Sequence, residues 1–510
     1  MKKLSVLLAL FFAGTVAAKT LVVGLSSEPR SGDPFAFNET PTNSFNYNIY
    51  DALVMLDAHL RVKPGLATSW EIKDPRTIVF HLRKGVKFHD GTPFDAYDVK
   101  YTVDRAKNWE KSQFKVYFKP IKDVIIKDKY TVIFKLSRPA PVLIRDLRRL
   151  RIMSKESTEG KSPDYIAFHP MGTGPYKFKE WVKGDHITLV ANKDYWGPKP
   201  YFDKVILRPL TNDAARTAAL LSGAVDVIED VPLTDAERIA KNPKFSFFKT
   251  DGLRLIFVGV DVARDKIFKG KTPHGENPFK DVRVRKAFYY GIDVNGIIKY
   301  INRGYNSPAS QYFPSTVFGY DPTIKRAPYD PEKAKELLKE AGYPNGFEVT
   351  LDAPNDRYIN DEKVAAAIAA DLAKIGIKVK VNAIPKAVFF PMVNSNKTSF
   401  FLLGWSCSSA DGAAFFDNIL HTRDKEKGYG RFNDAGYSNP TVDKLIEEQD
   451  TLMNQAKREK IMHKITRLAL KDMAYIPLYY YVNLFAAKKG IVFTPRADHV
   501  MYYRDFREVK

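Results

Sequence analysis

Residues 347–381 constrain the fold more tightly than any other part of the chain. Residues 347–351 read as a strand, Val364, Ile368, Leu372 and Ile375 fall on one face of a helix, and Ile377-Lys378-Val379-Lys380-Val381 alternates with a period of two. Strand, helix and strand at this spacing make a βαβ unit, in which the two strands run parallel and the helix crosses one face of the sheet. A chain that contains such a unit belongs with mixed α/β proteins rather than with sandwiches or helix bundles.

The same pattern recurs elsewhere. Short β-rich runs at 20–25, 77–82, 131–136 and 186–190 are bounded by Gly, Pro and Asp. Asn212 caps a predicted helix that runs to Leu221, Gly223 stands just past its end, and a buried strand follows at 225–228. Asp330-Pro331 opens a second helix, with Ala334, Leu337, Leu338 and Ala341 on one face and Gly342 as its stop. Asn439-Pro440 opens a third that carries Val442, Leu445 and Ile446, and the aromatic run 476–481 reads as a strand. With 510 residues, 45% of them hydrophobic, the chain has material for two or three domains.

Lys2 and Lys3, the apolar run 4–16 and Val16-Ala17-Ala18 have the form of a secretory leader cleaved near Ala18. The single cysteine, Cys407, offers neither a disulfide framework nor a lipid-modified residue behind the leader, so a freely diffusing periplasmic protein is expected rather than a lipoprotein. Lys plus Arg exceed Asp plus Glu by 80 − 59 = 21. The basic residues are dispersed among acids, which argues against nucleic acid as a partner. The densest basic cluster, Arg145, Arg148, Arg149 and Arg151, reads as a solvated helix face.

Signatures of a secreted enzyme were sought and not found. Gly404-Trp405-Ser406-Cys407-Ser408 ends in Ser where a nucleophile elbow needs Gly, and no His-Glu-x-x-His occurs. The nine histidines form no i, i+4 pair, so no helix-borne metal site is expected, and each reads as a surface or strand polar residue. Gly270-Lys271-Thr272 lacks the leading glycine of a phosphate loop, and Cys407 reads as a small buried residue. No catalytic residue, metal or cofactor is expected.

Residues 65–105 read GLATSWEIKDPRTIVFHLRKGVKFHDGTPFDAYDVKYTVDR. Further segments follow in order: Gly172-Thr173-Gly174-Pro175-Tyr176 leading to Asn192-Lys193-Asp194-Tyr195-Trp196, Asp281-Val282-Arg283-Val284-Arg285-Lys286-Ala287, Tyr329-Asp330-Pro331, Gly404-Trp405 and Tyr437-Ser438-Asn439-Pro440. Together they closely resemble the family 5 extracellular solute-binding proteins, the dipeptide and oligopeptide receptors of ATP-driven importers. The resemblance implies an α/β, two-lobed periplasmic-binding-protein clamp of type II, in the large class with an extra domain. It places 19–45, 170–249 and 482–510 in lobe I, 46–169 in the extra domain and 250–481 in lobe II. It also implies a short peptide or peptide-like ligand held between the lobes, a transmembrane permease as partner, and a monomer. The 65–105 signature is expected to be structural.

The resemblance also marks candidate ligand residues. Trp405 is expected beside the ligand. Three residues on, where the family's peptide receptors carry an aspartate for the ligand's amino group, stands Ser408; Asp411 is the candidate replacement. Arg357 lies in the stretch that resembles the family's carboxylate-binding region, and is either a ligand clamp or a loop arginine paired with Asp356 or Asp361. Tyr47, Asn48 and Tyr50 are weaker candidates. The missing aspartate leaves open the same fold with an oligosaccharide, opine, glutathione-like compound or chelated metal as ligand, and a secreted hydrolase is the competing class.

Overall fold

The computed structural model describes residues 18–509, so the leader up to residue 17 lies outside the described part. One twelve-stranded sheet runs through both lobes. At its lobe I end, Thr20–Leu25 pairs in parallel with Lys204–Pro209 and with Val227–Glu229, and the hairpin Tyr176–Val182/His186–Ala191 extends the edge. At its lobe II end, Glu348–Pro354 pairs in parallel with Lys378–Ile384, and the helix Asp361–Ala373 buries Val364, Ile368 and Leu372 between them. This is the βαβ unit expected from the hydrophobic periods.

Two long strands join the ends. Phe245–Val260 runs antiparallel to Ile476–Lys488, from Phe245 opposite Lys488 to Val258 opposite Ile476. The second strand is longer than the aromatic run that signalled it, because Val482 and Leu484 to Ala487 stay buried between neighbouring strands and cores. The register slips between Asp251 and Leu255, so Gly252, Leu253 and Arg254 have no partner on the neighbouring strand. Such a bulge bends the strand and redirects its side chains.

The extra domain is a four-stranded antiparallel sheet, in the order Ala67–Asp74, Thr77–Leu82, Thr131–Leu136 and Ile121–Asp128, covered by the helix Ala96–Asn108. Asp95 and Asp98 form a reciprocal capping box at the start of that helix. A single buried cluster runs from Leu21 and Val23 through Phe80 and Phe134 to Phe485 and Phe506, so lobe I and the extra domain share one core. Two further clusters lie around Phe257, Phe401 and Phe415 and around Phe288, Leu351 and Ile368; both fill lobe II, and the first also takes in Leu56, Leu60 and Ala497.

The 65–105 signature docks on the Gly172–Tyr176 segment. His89 donates its backbone N–H to the Gly172 carbonyl at 2.9 Å, and its Nε2 lies 3.0 Å from the Gly174 carbonyl oxygen. Both glycines pass so close to Ile49 that a Cβ at Gly172 would stand 2.2 Å from the Ile49 carbonyl oxygen. Asp51 then gathers Thr173 Oγ1 at 2.9 Å, Tyr195 Oη at 3.1 Å and Trp196 Nε1 at 2.7 Å. These motif residues hold lobe I to the extra domain, and burial holds the His89 imidazole down to about 4.

Two expectations are corrected here. Arg148, Arg149 and Arg151 do not form a solvated face; all are buried, Arg151 completely. Arg151 donates to the Pro34 carbonyl at 2.9 Å and to Asn43 Oδ1 at 2.7 Å, and Tyr47 covers its guanidinium at 4.1 Å. His421 is likewise buried rather than a surface residue, stacked on Tyr429 with ring centroids 4.3 Å apart.

Candidate ligand-binding cleft

The slipped segment of Phe245–Val260 forms the floor of a cleft. Arg254 pairs through its backbone with Ser406, the last residue of the strand Phe400–Ser406, and Tyr481 and Asn483 come from the other long strand. Facing them from lobe I and the extra domain are Tyr47, Glu39, Arg148 and Asp498, around a cavity of about 300 Å³. A second cavity of about 410 Å³ opens into lobe II between Arg254, Arg357, Tyr358, Phe390, Trp405 and Phe432. A third, of about 480 Å³, lies between Trp405, Ser408 and Asp417 on one side and Tyr117, Arg138 and Leu143 on the other. Ser406 borders all three, so they form branches of one cleft.

Two loops fix its shape. The Cys407–Asp411 turn carries Ala410 at φ 54°, and the Ala410 carbonyl accepts the Phe318 N–H at 3.0 Å. From the extra domain, Arg148 and Arg149 both donate to the Ser408 carbonyl, at 2.8 and 2.7 Å, and the Ser409 hydroxyl donates to Asp146 at 2.7 Å. The other loop carries Arg357, whose backbone N–H donates to Asp361 Oδ2 at 3.0 Å, while Tyr358 Oη accepts the Gly404 N–H at 2.9 Å.

A match to the family model for bacterial extracellular solute-binding proteins, family 5, spans residues 61–427. The chain belongs to this family. A glutathione-binding protein from Pectobacterium atrosepticum is 31% identical over 437 residues, covering 84% of this chain and 82% of the relative. HbpA2 from Haemophilus parasuis superposes with a TM-score of 0.85 at 26% identity, covering 96% of this chain and all of that one. DppA from Helicobacter pylori, in complex with the peptide STSA, superposes with a TM-score of 0.72 at 30% identity, covering 96% of this chain and 98% of that one. The two-lobed, type II periplasmic-binding-protein architecture is therefore that of known solute receptors. Family 5 members are binding proteins of transporters.

The structure sorts the candidate residues of this family 5 chain. Trp405 borders the second and third cavities, and its buried Nε1 has no hydrogen-bond partner. Ser408 is exposed where the first and third cavities meet. Arg357 borders the second cavity; its guanidinium lies 5.4 Å from the Tyr358 ring and pairs with neither Asp356 nor Asp361. Tyr47 borders the first cavity, where burial pushes its hydroxyl up but the combined charge of Arg148, Arg151 and Arg149 outweighs this and lowers it.

Asp411 differs from the expectation of a free carboxylate. It is only 1% exposed, and Arg458 grips it with two hydrogen bonds of 2.7 Å. Burial raises this carboxyl, yet Arg458 overcomes the effect and holds it below the usual range. The residue borders the third cavity, but its carboxylate is committed to Arg458. Asn48 borders none of the three cavities: its amide bonds Ser44 O and Met501 O at 2.9 and 2.8 Å, and its oxygen accepts the Tyr503 N–H at 2.8 Å. Tyr50 is also internal, donating to Gly32 O at 3.0 Å.

Sequence reasoning missed Arg254 and Asp417. Arg254 donates only one long bond, 3.5 Å to Gly404 O, and no carboxylate lies within 4.0 Å of its guanidinium among the described residues. Asp417, in the π-helical turn Phe416–Leu420, borders the third cavity and has a buried Oδ1 that accepts no hydrogen bond. Burial and then the neighbouring Asp450 raise its carboxyl well above the usual range. The only signal available in sequence was Gly252 inside a strand run, which marks a bulge or close approach; nothing local marked Asp417.

Proposed function

We propose that this chain is the extracytoplasmic receptor of an ATP-driven importer. It captures a short peptide or peptide-like solute with a carboxylate and an amino group, and the lobes shut on it about Phe245–Val260 and Ile476–Lys488. The observation that carries this reading is the set of three ionisable side chains without partners, Arg254, Arg357 and Asp417, on cavities that meet at Ser406. Arg357 is exposed, and Arg254 and Asp417 are half-buried, so each can accept a counter-charge that a ligand brings. A zwitterionic solute supplies both missing counter-charges. Its carboxylate end faces the guanidiniums, its ammonium faces Asp417, and Trp405 between them offers a ring face and an unpartnered N–H.

Three further points support the reading. The chain superposes less well on the peptide-holding DppA than on HbpA2, at equal coverage and despite higher identity to DppA, as a different lobe arrangement produces. One relative is a glutathione-binding protein, itself a receptor for a peptide-like solute. The Cys407 thiol is fully buried and pushed above its usual range by burial, which leaves it protonated and unreactive. On this reading the protein is not an enzyme. It is exported with its leader removed near Ala18, carries no lipid, acts as a monomer and delivers its solute to a permease. Lobe I and the extra domain move as one unit against lobe II, with the divisions near 249/250 and 481/482.

The test is native mass spectrometry of whatever co-purifies, followed by thermal-shift and small-angle scattering measurements with dipeptides, glutathione and opines. Free solute at a hundred times its Kd should add about 2.7 kcal/mol of apparent stability, with a contraction of the radius of gyration. Turnover of a bound solute, or tight binding with no contraction, refutes the reading.

A further inference from the structure

We propose that Arg254 and Arg357 form a two-guanidinium seat for a pair of carboxylates, so that the solute is an acidic, peptide-like molecule rather than a neutral dipeptide. The inference rests on the reading above and names its substrate class.

The two guanidiniums lie against the same ring, with their Cζ atoms 5.9 and 5.4 Å from the centroid of Tyr358. That ring is fixed, because its hydroxyl accepts the Gly404 N–H at 2.9 Å. Neither guanidinium has a carboxylate within 4.0 Å among the described residues. The one acid in the cavity wall, Asp434, is engaged by Arg423 at 3.1 Å and is almost wholly buried. Two positive charges therefore border one cavity of about 410 Å³ with no carboxylate partner, Arg254 half-buried and Arg357 exposed. Burial, and then Arg357, disfavour the charged form of Arg254, so an anion placed there relieves both effects.

A guanidinium presents its donors as a planar fork that one carboxylate fills with two parallel hydrogen bonds. One carboxylate on Arg357 leaves Arg254 unmatched, and a second satisfies it. Phe390, Trp405 and Phe432 wall the space with apolar surface suited to the methylenes that would separate the two groups. Arg254 stands at the strand slip, so an anion on it also contacts the ribbon about which the lobes move.

The experiment compares Ala-Glu with Ala-Gln, nearly isosteric dipeptides with two carboxylates and one, by calorimetry on the chain without its leader. The wild type should bind Ala-Glu at least tenfold more tightly. Arg254→Gln should lower Ala-Glu affinity at least tenfold and Ala-Gln affinity less than twofold, and Arg254→Lys should restore part of the difference. Because Arg254 makes only the one long bond to Gly404 O, thermal unfolding of the empty Arg254→Gln variant should match the wild type closely. Equal losses for both dipeptides, or no preference between them, overturns the proposal. A second arm follows Trp fluorescence with glutarate against butyrate. Glutarate binding that depends on Arg254 while neither dipeptide binds keeps the seat and removes the peptide reading; no glutarate response overturns the seat.

Discussion

Two sets of charged residues meet around one cleft, and they differ in whether they have partners. Three acids around the Cys407–Asp411 turn are engaged: Asp411 by Arg458 at 2.7 Å, Asp146 by Arg149 at 3.4 Å, and Asp498 by Arg496 and Arg148 at 2.9 and 3.2 Å. Arg254, Arg357 and Asp417, on the same connected cavities, make no ion pair within 4.0 Å among the described residues. Asp411 and Asp417 are six positions apart on the same cavity, yet one is gripped by Arg458 and the other makes no ion pair. A formal charge of +21 hides this distinction. Charges with partners maintain the architecture, and charges without them indicate what the architecture is for.

The most forceful way to break the comparison is Asp411→Ala. It leaves Arg458 buried without its partner, and removing one member of such a pair costs about 3–5 kcal/mol. The folded carboxyl lies below its ordinary value of 3.8, so its contribution is present above that pH and is lost as pH falls through the folded value. Urea unfolding should therefore show the full loss at pH 7 and a smaller one below pH 3.8. A fully stable variant with weakened solute binding would make Asp411 a ligand residue.

Asp417→Asn should behave in the opposite sense. The raised carboxyl binds a proton in the folded state at pH values where the unfolded chain has released it, so its stabilising contribution is fully present below 3.8 and is lost as pH rises through the folded value. At pH 7 the variant should be as stable as the parent or more so, by about 1 kcal/mol. Its affinity for a solute with a free amino group should fall about tenfold, equivalent to about 1.4 kcal/mol, while an N-acetylated analogue is unaffected. Loss of stability together with unchanged affinity would make Asp417 another scaffold residue.

Much of the fold was legible because it depends on local rules. Asn212, Asp330 and Asn439 cap helices where their side chains accept backbone N–H groups, and Gly223 ends its helix at φ 78°. The parallel pair around the helix Asp361–Ala373 follows from two periods that only a βαβ unit satisfies. The cleft was legible where it lies on a strand end with a recognisable motif, as at Trp405, or on the βαβ loop, as at Arg357. It was not legible where pairing is decided by distant segments. Arg458 reaches Asp411 across 47 positions, and Arg151 finds Pro34 across 117, so neither partner is visible in the local pattern that made the arginine cluster look solvated. Asn48 failed for the same reason, since its partners at Met501 and Tyr503 come from the far end of the chain.

The smallest effect is expected from restoring the acid that the family's peptide receptors carry three residues after the tryptophan. Ser408 is exposed where the first and third cavities meet, so a carboxylate there can reach the same solute as Asp417. It would not be free, because Arg148 and Arg149 already converge on the Ser408 carbonyl at 2.8 and 2.7 Å and would neutralise part of the new charge. Ser408→Asp in the Asp417→Asn background should therefore recover only about threefold of the lost affinity for a solute with a free amine, or about 0.7 kcal/mol. Added to the wild type, it should change affinity by less than that, since the ammonium is already matched. Full recovery by titration calorimetry would mean that the two positions serve one ammonium interchangeably; no recovery would mean that the arginines hold the new carboxylate as firmly as Arg458 holds Asp411.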